Sequence, residues 1–204
     1  MGFFSNIFKL GKPKQKAVYV TAQLNHLLMP IDRGDIYEDP LDDALKSLKY
    51  GEVDGGGTMQ LTTGEIAHID VEILLSNLED GIPFLISKLE ELGAPKSSIL
   101  HIQDDSNSKQ IEFGKKEGVA IYLDGINLPK EVYENSDIND LIEKLNISIS
   151  DLGKMESYWQ GERETALYFY GSSAKGMKNN FKAIVDSYPL CKGCRIITIA
   201  PKQL

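Results

Sequence analysis

Apolar residues repeat at helical spacing in one stretch of the chain and alternate with polar residues in several others. The helical stretch covers residues 78–92, and its apolar positions are Leu78, Ile82, Leu85, Ile86, Leu89 and Leu92. Their spacing of three and four predicts an amphipathic helix, which Gly93 and Pro95 end. Before it, residues 51–75 are typical of two strands that fold back on each other through a turn at Thr62–Glu65.

The first half of the chain is predicted to have the element order βαββαβ. The elements are a strand at 17–24, a helix at 41–48, the two strands of the 51–75 hairpin, the helix at 78–92 and a strand at 98–103. Residues 29–40 are predicted to form a loop, at whose end Asp39 caps the next helix and Pro40 opens it.

The second half is predicted to repeat this order. Its elements are a strand at 118–124, a helix at 137–145, strands at 153–160 and 165–171, a helix at 174–188 and a strand at 195–200. The residues also agree, since the motif Ala-Val-Tyr-Val at 17–20 matches Ala-Ile-Tyr-Leu at 120–123, and Gly-Glu-Val at 51–53 matches Gly-Lys-Met at 153–155. One consistent offset between matching segments indicates an internal duplication.

We therefore predict an α+β fold with two tandem ferredoxin-like (βαββαβ) units, whose antiparallel sheets carry helices on one face. The predicted parts are a leader at 1–16, a first unit at 17–103, a linker at 104–117 that contains a short strand at 110–113, and a second unit at 118–204. In such a unit the other sheet face has no helix over it. Two units in one chain either bury these faces on each other or leave a groove between them, because soluble proteins rarely expose large apolar patches.

The net charge of −8 is concentrated in the first unit. Residues 1–16 contain four Lys and no acid, residues 17–108 contain 5 Lys and Arg against 17 Asp and Glu, and residues 109–204 contain 13 of each sign. Nucleic-acid binding is not expected, because it needs a basic patch. The acidic field favours a basic partner, or it serves only solubility.

The second strand of the hairpin alternates polar and apolar residues, which places its polar side chains on one face. These side chains are His68, Asp70 and Glu72. A histidine with two carboxylates can bind a divalent metal or perform acid–base chemistry. Successive side chains on one strand face are about 7 Å apart, however, so they rarely converge on one ion. A solvent-facing polar surface is the simpler interpretation, and no metal site is predicted.

The consecutive glycines at 55–57 do not form a phosphate-binding loop. Such a loop ends in Gly-Lys-Ser/Thr and opens a helix, whereas Asp54 precedes these glycines and a strand follows them. A β-bulge or the close passage of another backbone is favoured. Cys191 and Cys194 lack a second pair for zinc and are predicted to form a helix-to-strand turn. Neither catalysis nor a cofactor is predicted.

An aromatic group on the middle strands of the second unit supplies candidate interface anchors. It consists of Tyr158, Trp159, Tyr168 and Tyr170. Packing between the two units is the competing interpretation. The basic motif with which sheets of this topology stack RNA bases is missing from residues 165–171.

Residues 1–16 combine apolar residues at helical spacing with four lysines, which predicts a short basic amphipathic leader. Such a segment either docks on the protein or touches a membrane surface, without anchoring there stably. Its charge order does not match that of a secretory signal, and no apolar run reaches the ~20 residues of a spanning helix. A cytoplasmic location is expected.

Three segments, at 30–40, 51–58 and 92–96, are similar to segments of small bacterial cytosolic proteins. Some of those proteins resemble immunity proteins that neutralise secreted toxins. The resemblance covers mainly residues 17–103 and transfers no site residue. It implies stoichiometric protein binding through an acidic surface.

The sequence thus favours a non-enzymatic protein-binding protein that occludes a basic, toxin-like partner. The predicted contact residues are Asp32, Asp35, Asp54, His68, Asp70, Glu72, Tyr158, Trp159, Tyr168 and Tyr170. The alternative is a regulatory protein that binds a small molecule or a metal in the groove between the units. An enzyme that relies on carboxylates and tyrosines is a third interpretation.

Overall fold

The computed structural model describes residues 17–104 and 107–202, and it contains two antiparallel sheets with helices packed on them. The first half comprises β1 (Val18–Leu24), α1 (Pro30–Arg33), a π-helical turn (Gly34–Glu38), α2 (Asp39–Leu48), β2 (Gly51–Gln60), β3 (Ile66–Leu75), α3 (Leu78–Glu91), β4 (Ser98–Asp104) and β5 (Asn107–Phe113). The second half comprises β6 (Glu117–Asp124), α4 (Lys130–Asn135), α5 (Ile138–Ser148), β7 (Gly153–Gln160), β8 (Glu164–Gly171), α6 (Ala174–Ser187), a 3-10 turn (Pro189–Cys191) and β9 (Arg195–Ala200). The fold is α+β, as predicted. The predicted leader at 1–16 lies outside the described residues.

Both sheets have a ferredoxin-like strand order. The first sheet has the order β2-β3-β1-β4-β5, and the second has the order β7-β8-β6-β9. All neighbouring strands run antiparallel. In each sheet the first strand of the half lies between the third and the fourth, which is the split-βαβ arrangement, and β5 extends the first sheet beyond it.

Local sequence signals account for the hairpin and for the longest helix of the first half. The hairpin closes through the backbone N–H of Leu61, which donates to the carbonyl of Glu65 (2.8 Å), so the predicted turn at 62–65 is confirmed. The side chain of Asn77 caps α3 by accepting from the N–H of Asp80 (3.2 Å). Gly93 adopts a φ of 104° after the helix, which is a backbone conformation that favours glycine.

The segment predicted as a linker, 104–117, contributes a strand to the first sheet instead. β5 pairs with β4 from Ser98 opposite Phe113 to the end of the hairpin, and it forms the edge of the sheet. The predicted short strand at 110–113 is only the second half of β5. Ser108, Lys109 and Gln110 are exposed, because an edge strand presents polar side chains to water. A stretch of polar residues has the composition of a loop, which is why the sequence predicted a linker here.

The loop predicted at 29–40 is helical from Pro30 onward. Pro30 stands in the first turn, where its missing N–H is not needed, and Gly34 has an ordinary helical φ of −55°. The N–H of Asp39 donates to the carbonyl of Gly34, so Asp39 lies inside a helical segment and does not cap α2. The short helix α4 was also not predicted.

Each sheet packs its helix-covered face into a hydrophobic core. The core of the first half joins β1, β3 and β4 to α2 and α3, and its buried residues include Val20, Leu24, Leu41, Leu45, Val71, Leu85 and Leu89. The core of the second half joins β6 and β8 to α5 and α6, and its buried residues include Ile121, Leu145, Leu167, Phe169 and Phe181. Burial of these apolar side chains is the main stabilisation of both halves.

The helix-free faces of the two sheets have opposite surroundings. On the second sheet this face is buried against the first half, and its residues Ala120, Tyr122, Ala166, Tyr168 and Tyr170 belong to the core of the first half. On the first sheet the corresponding face is polar, and Tyr19, Glu72 and Gln103 are exposed there. Among the described residues, no helix or second sheet covers this face, and we call it the open face.

Among residues 17–104 and 107–202, no helix combines the length and the apolar character that crossing a membrane requires.

Candidate functional site

The open face of the first sheet is built from rows of side chains that run across all five strands. One row consists of Gly55, Glu72, Thr21, His101 and Gln110, and the next consists of Gly57, Asp70, Gln23, Ile99 and Glu112. Glu72, Gln110 and Glu112 are exposed, and the central side chains are partly buried by their neighbours. The rows end at β2 in glycine, so the carboxylates of β3 stand next to a strand edge without side chains.

The sequence correctly predicts that His68, Asp70 and Glu72 share one face, because Ile69 and Val71 between them are buried on the other. Nε2 of His68 lies 2.9 Å from the amide nitrogen of Gln23 and 3.6 Å from Oδ2 of Asp70. These contacts orient the imidazole along the sheet surface. Within the part of the chain that the structure describes, no three His, Cys, Asp or Glu residues are grouped closely enough to hold a metal ion.

The glycine run at 55–57 coincides with a β-bulge, as predicted. The register between β2 and β3 shifts between Val53 and Gly55. A Cβ atom on Gly56 would lie 2.5 Å from Oε1 of Glu38 and 2.6 Å from the carbonyl of Asp70. Glu38 forms an ion pair with Arg33 there, so this glycine accommodates the ion pair of the π-helical turn.

The predicted acidic residues do not form one surface. Asp32 and Asp35 belong to the helical segment that packs on the Gly56 side of β2. Asp70 pairs with Gly57 and therefore points to the opposite side of the sheet. Asp54 is exposed in the bulge between these two sides. A flat partner cannot cover all of them at once.

The aromatic residues predicted as partner contacts divide into buried and accessible ones. Tyr168 and Tyr170 are 1% exposed and pack between the two halves, so they are not available to a partner. For this pair the prediction of a contact role is wrong and the interpretation as packing between units holds. Trp159 packs partly buried against the first core, whereas Tyr158 is 59% exposed.

A buried polar network joins the two halves, and its centre is His26 in the connection between β1 and α1. Nδ1 of His26 lies 2.8 Å from the hydroxyl of Tyr37. Nε2 lies 2.9 Å from Oε2 of Glu156 on β7. The ring of Tyr170 contacts the imidazole edge-on at a centroid distance of 4.2 Å, and Lys116 pairs with Oε1 of Glu156 (2.6 Å).

The surroundings of this network keep His26 neutral and Glu156 ionised. Burial lowers the pKa of His26 below its ordinary value of 6.5, and the carboxylate of Glu156 opposes this shift without outweighing it. Burial raises the pKa of Glu156, but the hydrogen bond from His26 and the hydrogen bond and charge of Lys116 outweigh it, so the net shift is downward. Tyr37 then donates to Nδ1, and the N–H at Nε2 faces the carboxylate.

A second contact between the halves is made by the hairpin tip of the first sheet. Glu65 reaches the helix-free face of the second sheet, and its Oε1 accepts from the hydroxyls of Tyr122 and Tyr168, both at 2.6 Å. Burial and the hydrogen bond to this carboxylate raise the pKa of both phenols. The carboxylate thus accepts hydrogen bonds from two hydroxyls of the second half.

A shallow groove of about 900 Å³ runs along β7 at the junction of the halves. Its lining includes Lys115, Lys116, Lys154, Glu156 and Tyr170. Lys115 pairs with Glu90 (2.8 Å) and Lys116 pairs with Glu156. The groove therefore contains one lysine, Lys154, that forms no ion pair with the described residues.

Comparison with known proteins identifies no family for this chain. No protein-family model and no curated protein sequence matches it. An unknown protein from Galdieria sulphuraria is 12% identical over 90% of this chain and 96% of that chain, with a TM-score of 0.29. A mutant chlorite dismutase from Candidatus Nitrospira defluvii is 11% identical over 89% of this chain and 90% of that chain, with a TM-score of 0.29. The first two RRM domains of the yeast poly(U)-binding protein are 11% identical over 90% of this chain and 99% of that chain, with a TM-score of 0.23. At these values the similarities carry no functional argument.

The junction network is the part of the site that the sequence did not predict. His26 and Tyr37 are close in the sequence, but Glu156 follows His26 by 130 residues. The only local signal was the polar pair Asn25-His26 between apolar residues, which is typical of buried polar side chains. Cys191 and Cys194 form the predicted turn before β9, in which the N–H of Cys194 donates to the carbonyl of Cys191 (3.0 Å).

Proposed function

We propose that this chain is a non-enzymatic protein-binding protein and that it captures a basic partner on the open face of the first sheet. The observation that carries the proposal is the unequal covering of the two sheets. The second sheet buries its helix-free face inside the molecule, whereas the first leaves the same face polar and accessible. A partner therefore meets this face without any rearrangement of the fold.

The charges of the open face support a basic partner. Asp70 and Glu72 stand on β3 and Glu112 stands on the edge strand β5, and none of them pairs with a Lys or Arg among the described residues. Carboxylates without cationic neighbours attract and orient a positively charged surface as it approaches. Exposed Tyr19 adds apolar area to the same face.

The proposal is tested by reversing charge on the open face. The double variant Asp70→Lys/Glu72→Lys is expected to capture at least about tenfold less partner from a lysate of the source cell. Its capture should also depend less on salt, because two carboxylates that meet the partner are gone. Glu131→Lys/Glu143→Lys in the second half is the matched control, since both residues are exposed and far along the chain from the open face. Equal capture by wild type and Asp70→Lys/Glu72→Lys would contradict the proposal.

We further propose an immunity-type role in the bacterial cytoplasm, in which a basic toxin-like protein is occluded by this surface. The support is the resemblance of segments 30–40, 51–58 and 92–96 to such proteins, together with the excess of 17 acids over 5 bases in residues 17–108. The captured protein should have a net positive charge and lose its toxicity when the two are co-expressed. Capture of an acidic or harmless protein would reject this role.

The two halves are proposed to be copies of one βαββαβ unit. Corresponding details support this: the N–H of Ser76 donates to Tyr50 and that of Ser172 to Leu152, both at 2.8 Å, where the third strand ends in each half. A side chain on Gly51 would overlap the opposite strand, and so would one on Gly153. An alignment of homologues in which the halves share no profile would reject the duplication.

A second candidate function is regulation by a ligand in the groove along β7. The observation that favours it is Lys154, which forms no ion pair among the described residues, beside the pair of buried Glu156 and half-buried Lys116, since convergent polar groups in a groove are typical of ligand sites. Thermal denaturation with divalent metals and anionic metabolites tests it. One compound should raise the midpoint by several degrees in wild type and not in Lys154→Met. Identical midpoints with all compounds would reject this candidate.

A further inference from the structure

We infer that the glycines of β2 form a bare shelf on the open face, and that this shelf receives a Lys or Arg side chain of the partner. The inference rests on the proposed capture of a basic protein and names the part of the surface that selects it. The shelf consists of Gly55 and Gly57, which stand in the rows of Glu72 and Asp70 respectively.

The three consecutive glycines have different reasons to be glycine. Gly56 faces the helix-covered side, where a Cβ atom would collide with the pair of Glu38 and Arg33. Gly55 has a φ of 147°, which L side chains rarely adopt. Gly57 has neither restriction, because its φ lies outside that region and a Cβ atom on it would meet nothing within 4 Å.

A glycine without a conformational or packing reason weakens the strand that contains it. In a strand interior it costs roughly 0.5–1 kcal/mol relative to alanine, and β-branched residues would suit the position better. At Gly57 no contact with the described residues compensates for this cost. The close approach of an external group explains it, since a bare strand lets that group lie against the backbone.

Carboxylates surround the shelf and determine the chemistry of its occupant. Asp70 and Glu72 stand opposite Gly57 and Gly55, about 5 Å away at the level of Cβ. Glu52 lies at one end of β2, and Asp54 is exposed in the bulge. Neither Glu52, Asp54 nor Glu72 pairs with a Lys or Arg among the described residues. An extended basic side chain laid along the shelf meets these carboxylates without displacing any protein group.

Binding of a fluorescein-labelled peptide of alternating Arg and Gly, followed by anisotropy at low salt, tests the inference. Gly57→Val is expected to bind the peptide at least about tenfold more weakly, because its methyl groups fill the shelf. Its thermal midpoint should equal or exceed that of wild type. Gly57→Ala serves as the second variant if valine lowers the midpoint. Gly34→Val is the matched control, since it also enters open space in the first half, and it should bind like wild type.

Asp70→Asn/Glu72→Gln separates the two proposals. If this variant binds weakly while Gly57→Val binds like wild type, the shelf is wrong and the acidic face stands. If wild type does not bind the peptide, both proposals fall. Sedimentation tests whether a second copy of this chain occupies the shelf. A wild-type dimer that Gly57→Val dissociates would assign the shelf to that second copy and overturn its assignment to a basic partner.

Discussion

His26 shows how a single residue can connect two halves of a fold. Its two ring nitrogens face Tyr37 in the first half and Glu156 in the second, and Lys116 and Tyr170 complete its surroundings. The imidazole is fully buried. A protonated His26 would add a buried cation next to Lys116, which is why the neutral form is favoured.

We predict that His26 makes the protein less stable as the pH falls through about 6.5. Because burial lowers its pKa in the folded state, the unfolded chain binds a proton first, so stability is lost below the unfolded pKa. The lowered pKa of Glu156 continues this loss in the acidic range, below 4.5. Urea unfolding at pH 7.5 and 5.5 measures the loss of stability that His26 causes.

The matched variants for this prediction are His26→Gln and His101→Gln. Glutamine can still accept from Tyr37 and donate to Glu156, but it does not titrate. His26→Gln should therefore lose less stability than wild type between the two pH values. His101→Gln, on the open face, should lose as much as wild type. The same pH dependence in all three proteins would disprove the role of His26.

Among the elements, the hairpin of β2 and β3 has two separate tasks. Its tip presents Glu65 to the phenols of the second sheet, while its body supplies Asp70, Glu72 and the glycine shelf to the open face. The alternation of residues 66–75 predicted the body correctly, because a strand buried on one side needs that pattern. It could not predict the task of the tip, since the turn residues Thr62–Glu65 carry no sign of what they touch.

We predict that Glu65→Ala destabilises the fold by about 1–3 kcal/mol, because it leaves the hydroxyls of Tyr122 and Tyr168 without their acceptor. Chemical unfolding measures the change. Removing the hydroxyls as well, in Glu65→Ala/Tyr122→Phe/Tyr168→Phe, should recover part of the loss, because no buried donor is then left unsatisfied. Glu72→Ala on the same hairpin should change stability by at most about 0.5 kcal/mol. No recovery in the triple variant would show that the tip acts in another way.

At the scale of the whole molecule, the sequence predicted the α+β class and the positions of most strands and helices. Period-two and period-3.6 patterns are local, and β1, β3, α3 and α6 follow them closely. The first half of β5, its place in the first sheet and the helical conformation of residues 30–40 were missed, because a polar edge strand and a helix opened by proline resemble loops. Which helix-free face is covered depends on contacts across the molecule, so the sequence left partner contact and packing between the units as alternatives for Tyr168 and Tyr170.

The crossing between the two sheets, Gly114–Lys116, determines what kind of recognition this molecule can perform. It is three residues long, and its backbone is bound to the segment after α3, where Lys115 donates to Ala94 (2.9 Å) and Lys96 donates to Lys116 (2.8 Å). A crossing this short, with its backbone hydrogen-bonded to a neighbouring segment, is not a hinge, so the halves cannot close around a ligand by hinge motion. The proposed capture of a basic partner is therefore expected to be rigid-body docking onto a preformed surface. We expect its rate to be set by diffusion and electrostatic steering, without waiting for a closing step.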